Sequence, residues 1–331
     1  MSKENKPVLG VTVYSFTNEW QQRIYDLEGL IAKVAENNLG PAVEAVGFQS
    51  FRDFPDVSDE TAKNFRTLMD KYELMPSCLG ANLDIGIYRD RTMTQDEIVA
   101  YVSRQITSAK KLGFPVLRIQ TFAKPDTLER LIPIAEKAGI HLASELHSPL
   151  TIDNPEVIEL LEYYRKVQTP VLGFIPDFSS TMKAVPELFW ENLRRAGAPE
   201  ELIQTAGELW HMNISTKDKF EELQDTCQAL NVPPAASGQI NMVLTMFGHM
   251  PVEGWRDILP YVRHIHGKFY EVNDKGVEPS IPYPDIMRLL KEEGYTGTIS
   301  AEWEGQAFTE KPIGFQQVEA WHNMCNKLLV D

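Results

Sequence analysis

The stretch TISAEWEG, residues 298–305, reads as a short buried strand that stops on two carboxylates, Glu302 and Glu304. Thr298, Ile299 and the small residues behind them suit a packed, pleated surface, and Trp303 continues it. A single carboxylate at a strand end is more often a helix cap or a surface group than a functional one. Three earlier strand-like runs carry the same kind of ending: IHLASELH (140–147) with Glu145 and His147, VLGFIPD (171–177) with Asp177, and VRHIHGKFY (262–270) with His264 and His266. Strands of one sheet that each deliver a metal-binding type of side chain imply one shared site.

Outward from these runs the chain alternates strand and helix. VLGVTVY (8–14), AVEAVGF (42–48), PSCLGANL (76–83) and VLRIQTF (116–122) are the first four strands. The helices between them are read at 27–39, from Ser58 with Glu60 close behind, at 94–113 and at 125–139, several with a capping residue at the start and glycine at the stop. A helix after Asn154, one at 284–294 and one at 315–329 complete the pattern. Eight strands separated by helices predict a parallel (β/α)8 TIM barrel over residues 1–331. No GxGxxG follows the first strand, so an open dinucleotide-binding sheet has no support.

Residues 181–260, between strands six and seven, break the repeat. They predict a helical insertion, with helices at 199–212, 216–230 and 237–250, and an insertion after a barrel strand lands at the C-terminal face where substrates bind. A lid or docking surface and a plain helical subdomain are both compatible with that position.

Composition narrows the partners. The 331 residues carry 32 basic and 47 acidic side chains, a formal charge of −15, spread along the chain. Nucleic acid and anionic membranes both need a positive footprint, so neither is expected as a partner. No apolar run is long enough to span a bilayer, and MSKENKPV lacks the apolar core of a signal peptide, so the expected location is the cytoplasm. The three cysteines, Cys78, Cys227 and Cys325, are too few and too scattered for a disulfide framework or a CxxC knuckle.

Alternation along a strand sorts the side chains. In the fifth strand His141, Ala143, Glu145 and His147 share the face toward the barrel mouth, opposite Leu142 and Leu146. Asp177 lies with Ile175 and Gly173, His264 and His266 lie with Lys268 and Tyr270, and Ser300, Glu302 and Glu304 point together. Of the two histidines, His266 sits nearer the strand end and has the better claim as a ligand. Three carboxylates and an imidazole form a hard, oxygen-rich set suited to Mn²⁺, Mg²⁺ or Co²⁺. Such an ion acidifies a C–H bond beside a sugar carbonyl, the first step of isomerisation, epimerisation and elimination. Arg118, Gln120 and Lys268 can bind substrate or neutralise the carboxylates, and Tyr14, Phe16, Trp20 and Trp303 can line a sugar pocket or fill the core.

On these strand ends and the His-x-His of HIHGKFYE, the chain resembles the xylose isomerase-like barrels, which include sugar isomerases, epimerases and endonuclease IV-type enzymes. The resemblance implies Glu145, Asp177, His266 and Glu302 as metal ligands, with Glu145 and Glu302 also able to handle a substrate proton. Ketose epimerases carry a histidine three positions after the metal aspartate, where this chain has Ser180, and an arginine after the His-x-His that is missing here. SELHSP, IPDFSS, the long insertion and AEWEG are similar to the catalytic α subunits of bacterial C-glycoside deglycosidases. That resemblance implies a Mn²⁺-type ion, a 3-oxo-C-glycoside that loses its C2 proton and expels its aglycone, His147 as base or proton shuttle, and a small β subunit in a heteromer. The alternative it leaves is a ketose isomerase or epimerase. Glu304, two residues beyond Glu302, is expected at most to orient other groups.

Overall fold

The computed structural model describes residues 6–83, 85–120 and 123–330. Eight parallel strands run in the order β6-β5-β4-β3-β2-β1-β8-β7. They are β1 (Val8–Thr12), β2 (Ala42–Val46), β3 (Met75–Ala81), β4 (Val116–Ile119), β5 (His141–Leu146), β6 (Leu172–Pro176), β7 (Ile265–Phe269) and β8 (Thr298–Trp303). Between β6 and β7 the ladder is reduced to two isolated parallel bridges, Phe174 with Val262 and Asp177 with His266, so the barrel is nearly closed. The fold is the (β/α)8 barrel. The expected fourth strand extends over Thr121 and Phe122, which lie outside the described residues.

The two faces of each strand differ as the alternation requires. Leu9, Val11, Val43, Ala45, Leu79, Leu117, Leu142, Leu146, Phe174, Ile299 and Ala301 join the main core between strands and helices. Each of the larger side chains among these, the Leu, Val, Ile and Phe residues, contributes roughly 1.5–3 kcal/mol. The inner face is different: a small apolar plug of Cys78, Val116, Ala143 and Ile175 fills it, and above the plug the inward positions are polar. The stability of the barrel therefore resides mainly outside the sheet, which frees the inner face for chemistry.

Helix limits follow local capping. Thr94 accepts from the Glu97 amide while the Glu97 carboxylate accepts from the Thr94 amide, a reciprocal cap that starts Gln95–Leu112 and stabilises it by about 1 kcal/mol. Gly113, at φ 91°, ends that helix in the left-handed region. The first strand is shorter than the sequence suggests. Thr12 Oγ1 accepts from the Tyr14 amide, and Val13–Phe16 turn as a 3-10 helix that carries Tyr14 over the barrel mouth.

Residues 181–260 contain helices Glu187–Arg195, Glu200–His211, Thr216–Ala229, Pro234–Gln239 and Met242–Thr245. The expected helix at 237–250 is thus broken. After Thr245 the chain turns to pair with the segment that follows β6: Gly248 N donates to Ser179 O at 2.8 Å and Met182 N donates to Gly248 O at 2.9 Å. A Cβ at Gly248 would lie 2.8 Å from Ser180 Cα, so only glycine permits the approach. The helix Glu187–Arg195, not foreseen, is short and buries Phe189 and Leu193 at i, i+4 spacing. Among the described residues no helix is long and apolar enough to cross a membrane.

Candidate metal centre

The inward positions of β5, β6, β7 and β8 converge. One donor atom from each of Glu145, Asp177, His266 and Glu302 lies within 4.8 Å of the other three, and all four residues are buried. His266 Nδ1 is at the centre of the group, 2.6 Å from Glu145 Oε1, 3.2 Å from Glu302 Oε2 and 3.9 Å from Asp177 Oδ2. The strand register explains the convergence. Glu145 follows β5 inward, Asp177 stands one residue beyond β6 in register with His266, and Lys268 pairs with Glu302 between β7 and β8.

The surrounding cations brace the carboxylates. Arg118 Nη1 donates to Glu145 Oε2 at 2.8 Å, and Lys268 Nζ donates to Glu304 Oε2 at 2.6 Å. Tyr14 donates its hydroxyl to Glu304 Oε1 at 2.9 Å. Arg118 and Lys268 therefore offset part of the cluster's negative charge, and Glu304 holds Lys268 and Tyr14. Gly80 makes room for Arg118, because a Cβ there would lie 2.6 Å from Arg118 Nη2. Phe16 stacks on Phe315 and Trp303 donates its indole N–H to Tyr270 O, so both belong to the core; Trp20 is exposed, away from this cluster's contacts. Gln120 is also exposed.

His147 stands just past β5, half-buried, with Nδ1 2.6 Å from the Ser148 carbonyl. A carbonyl oxygen only accepts, so Nδ1 carries the proton and Nε2 keeps its lone pair.

His264, one residue before β7, takes a lower place. Its Nε2 lies 3.0 Å from both Glu44 Oε2 and Ser300 Oγ. Glu44 was not singled out by the sequence reading, yet it is a lone carboxylate at an inward position of β2, between Val43 and Ala45. That break in an otherwise apolar strand was the available signal.

The electrostatics are those of a site with excess negative charge. Five buried carboxylates, Glu44, Glu145, Asp177, Glu302 and Glu304, face two permanent cations, Arg118 and Lys268, a formal excess of three negative charges before His266 is counted. Burial favours the neutral acid everywhere, but Arg118 and His266 overrule it at Glu145, and His266 and Lys268 do so at Glu302, holding both below the usual range. At Asp177 burial prevails, aided by Glu302 and Glu145 against Lys268, and the carboxyl is raised. Burial pushes His266 down, but Glu302, Glu44 and Glu145 outweigh it and hold the imidazolium well above its ordinary range. Asp177 Oδ2 and Glu302 Oε2 accept no hydrogen bond of acceptable geometry, although Lys268 Nζ is 3.3 Å from each. Orphaned carboxylate oxygens beside a histidine nitrogen, in surplus negative charge, fit a divalent cation. Glu145, Asp177, His266 and Glu302 could hold it.

Comparison with known proteins agrees with this architecture. Residues 41–321 match the family model described as the xylose isomerase-like TIM barrel. A C-glycoside deglycosidase alpha subunit of Microbacterium trichothecenolyticum is 40% identical over 315 residues, covering 92% of this chain and 85% of that protein. The 3'-dehydrocarminate deglycosidase alpha subunit of a Microbacterium species is 36% identical, covering 97% and 95%. Among solved structures, D-psicose 3-epimerase of Clostridium cellulolyticum H10 superposes with a TM-score of 0.60 at 12% identity, over 97% of this chain and 99% of that one, a likeness of fold alone. The chain belongs to the xylose isomerase-like TIM-barrel family, and within it is similar over most of its length to the alpha subunits of C-glycoside deglycosidases.

Proposed function

We propose that this chain is the catalytic subunit of a C-glycoside deglycosidase, a divalent-metal-dependent lyase. Its substrate is a C-glycoside already oxidised to a ketone at C3, and the bond it breaks joins C1 of the sugar to a carbon of the aglycone. One observation carries the reading: relatives matching nearly the whole chain are named for this activity, and one is named for a 3'-dehydro compound.

Glu145, Asp177, Glu302 and His266 Nδ1 would hold the cation, Mn²⁺ for preference and Mg²⁺ or Co²⁺ as further candidates. The chemistry a divalent cation supplies at such a site is polarisation of the ketone, which acidifies the neighbouring C2–H. His147 Nε2, with its lone pair fixed by the Nδ1–H bond to Ser148, takes the C2 proton. The C–H electron pair becomes the C2–C3 double bond of an enolate. Reforming the C3 ketone moves that pair into a C1–C2 double bond as the bond from C1 to the aglycone breaks. The aglycone carbon leaves with its electron pair and takes up a proton, so the products are an unsaturated sugar ketone and the free aglycone, with no net oxidation. Glu145 and Glu302 would in addition handle the substrate proton. Arg118 and Lys268 keep those carboxylates ionised and oriented.

The alpha-subunit names of the relatives support a small β subunit as partner. The competing reading is a ketose isomerase or epimerase, which shares the proton abstraction. Purified protein with Mn²⁺, alone and co-expressed with a β subunit, is incubated with a 3-oxo-C-glycoside and with a panel of ketoses. Aglycone release from the former alone supports the lyase, and ketose turnover alone sinks it.

A further inference from the structure

Glu44 is 1% exposed, and both of its carboxylate oxygens are engaged by imidazoles. Oε1 accepts from His266 Nε2 at 3.0 Å, and Oε2 lies 3.0 Å from His264 Nε2, the two rings standing nearly perpendicular at 88°. Ser300 Oγ, 3.0 Å from the same His264 nitrogen, braces the lower ring from β8. The carboxylate thus joins β2 to β7 across the inside of the barrel, beneath the four candidate ligands.

The chemistry of that bridge is directional. An ionised carboxylate only accepts, so His266 Nε2 must carry a proton. Without a cation Nδ1, 2.6 Å from Glu145 Oε1, also carries a proton, because two bare acceptors cannot stand that close. A cation among Glu145, Glu302 (Oε2 at 3.2 Å) and Asp177 (Oδ2 at 3.9 Å) would displace that proton and meet the Nδ1 lone pair, while Nε2–H stays on Glu44. We propose that Glu44 is a positioning residue: it fixes the tautomer and the ring orientation of His266 so that Nδ1 is presented to a divalent cation held with Glu145, Asp177 and Glu302. A ligand histidine whose distal N–H is held by a carboxylate binds metal more tightly, because rotation and the wrong tautomer are both removed in advance. The inference rests on the cation reading of the upper cluster.

Glu44, Cys78 and His264 also have donor atoms within 4.8 Å of one another, which raises the question of a second ion at this level. The hydrogen bonding argues against it. Both oxygens of Glu44 and the Nε2 of His264 are already satisfied, whereas the orphaned oxygens belong to Asp177 and Glu302 one layer above.

The test measures Mn²⁺ affinity by titration calorimetry on the full chain, for the parent, Glu44→Gln, Glu44→Asp, His266→Asn and the double variant Glu44→Gln/His266→Asn. Glu44→Asp keeps the charge but withdraws the carboxylate by one methylene, so it separates geometry from net charge and is a second variant should Glu44→Gln fold poorly. Loss of affinity by about 10- to 100-fold in both single Glu44 variants is expected. In the His266→Asn background the same Glu44 change should cost less than about threefold, since there is no imidazole left to position. In the Mg²⁺-loaded parent, ¹⁵N spectra of labelled histidine should show His266 as the Nε2–H tautomer, with that preference lost in Glu44→Gln. A parent that binds Mn²⁺ with Glu44→Gln and Glu44→Asp unchanged overturns the positioning role alone. Equal losses with and without His266, or a second bound ion that Glu44→Gln removes, also overturn it. A parent that binds no divalent cation removes the cation reading on which it rests.

Discussion

Asp177 and His266 face each other as an isolated parallel bridge across the β6–β7 seam, where, among the described residues, the continuous barrel ladder gives way to two single bridges. Two of the four candidate ligands are therefore set by the closure of the barrel, and the other two by the strands on either side of that seam. Asp177 Oδ1 accepts from the Ser179 amide at 2.7 Å, which leaves Oδ2 turned toward His266. Seam and site are one construction: the chain between β6 and β7 is long, and it has to return to register for the donors to meet.

The two carboxylates of AEWEG have different surroundings, Glu302 facing His266 and Glu304 bonded to Lys268 and Tyr14, so unequal roles are expected. Glu302→Gln removes a donor from the cluster and should weaken Mn²⁺ binding by more than about 100-fold, beyond the range for outer partners. Glu304→Gln, which loses only the contacts to Lys268 and Tyr14, should cost about tenfold or less. Titration calorimetry on both variants decides it, and equal losses would refute the division.

His147→Ala should leave bound metal unchanged and lower turnover of a 3-oxo-C-glycoside by about 10²- to 10⁴-fold, the usual worth of a general base. Metal content by elemental analysis is read beside kcat. Loss of the ion together with activity would make His147 a ligand and not a base.

Gly80→Ala places a Cβ 2.6 Å from Arg118 Nη2 and pushes the guanidinium off Glu145. Overpacking of this kind destabilises by about 1–3 kcal/mol, and a lost partner should raise the Glu145 proton affinity. Urea denaturation should show a lower midpoint with an unchanged slope. A midpoint equal to that of the parent would mean that Arg118 can move at no cost.

Glu278 should make stability fall as pH rises. Burial pushes its carboxyl from 4.5 up to about 7, against the opposing hydrogen bonds from Ser280 and the Ile281 amide. A raised value means that the folded state binds this proton more tightly than the unfolded chain. The contribution is then fully present below about 4.5 and is lost as pH climbs through about 7, a total of about 3 kcal/mol. The segment is anchored to the insertion, since the Lys183 amide donates to Ser280 O at 2.9 Å. Unfolding free energies of the parent and Glu278→Gln across this interval should converge at low pH and differ by that amount at high pH. Parallel curves would exclude Glu278 as the source.

Much of the molecule follows from local rules that the sequence obeys. Alternation alone assigns Glu145, His266, Lys268 and Glu302 to the inner face, because successive side chains on a strand must point to opposite sides. The limits of Gln95–Leu112 follow from Thr94, Glu97 and Gly113 for reasons of capping chemistry. A run of strands and helices with ligand-type residues at consecutive strand ends is enough to specify the barrel and its mouth.

Tertiary structure decided what depends on distant partners. Glu44 becomes significant only when β2 and β7 stand across one barrel, since the partners of its carboxylate lie more than two hundred positions away. His264 and His266 both bond Glu44 but differ in depth: His264 also meets Ser300, whereas Nδ1 of His266 faces Glu145, Asp177 and Glu302. The break in residues 237–250 was likewise invisible locally, because it serves the pairing of Gly248 with the segment after Asp177. Sequence fixes direction along an element, through the stereochemistry of the backbone; height in the barrel and the identity of the neighbour depend on how the strands are registered, and only closure sets that.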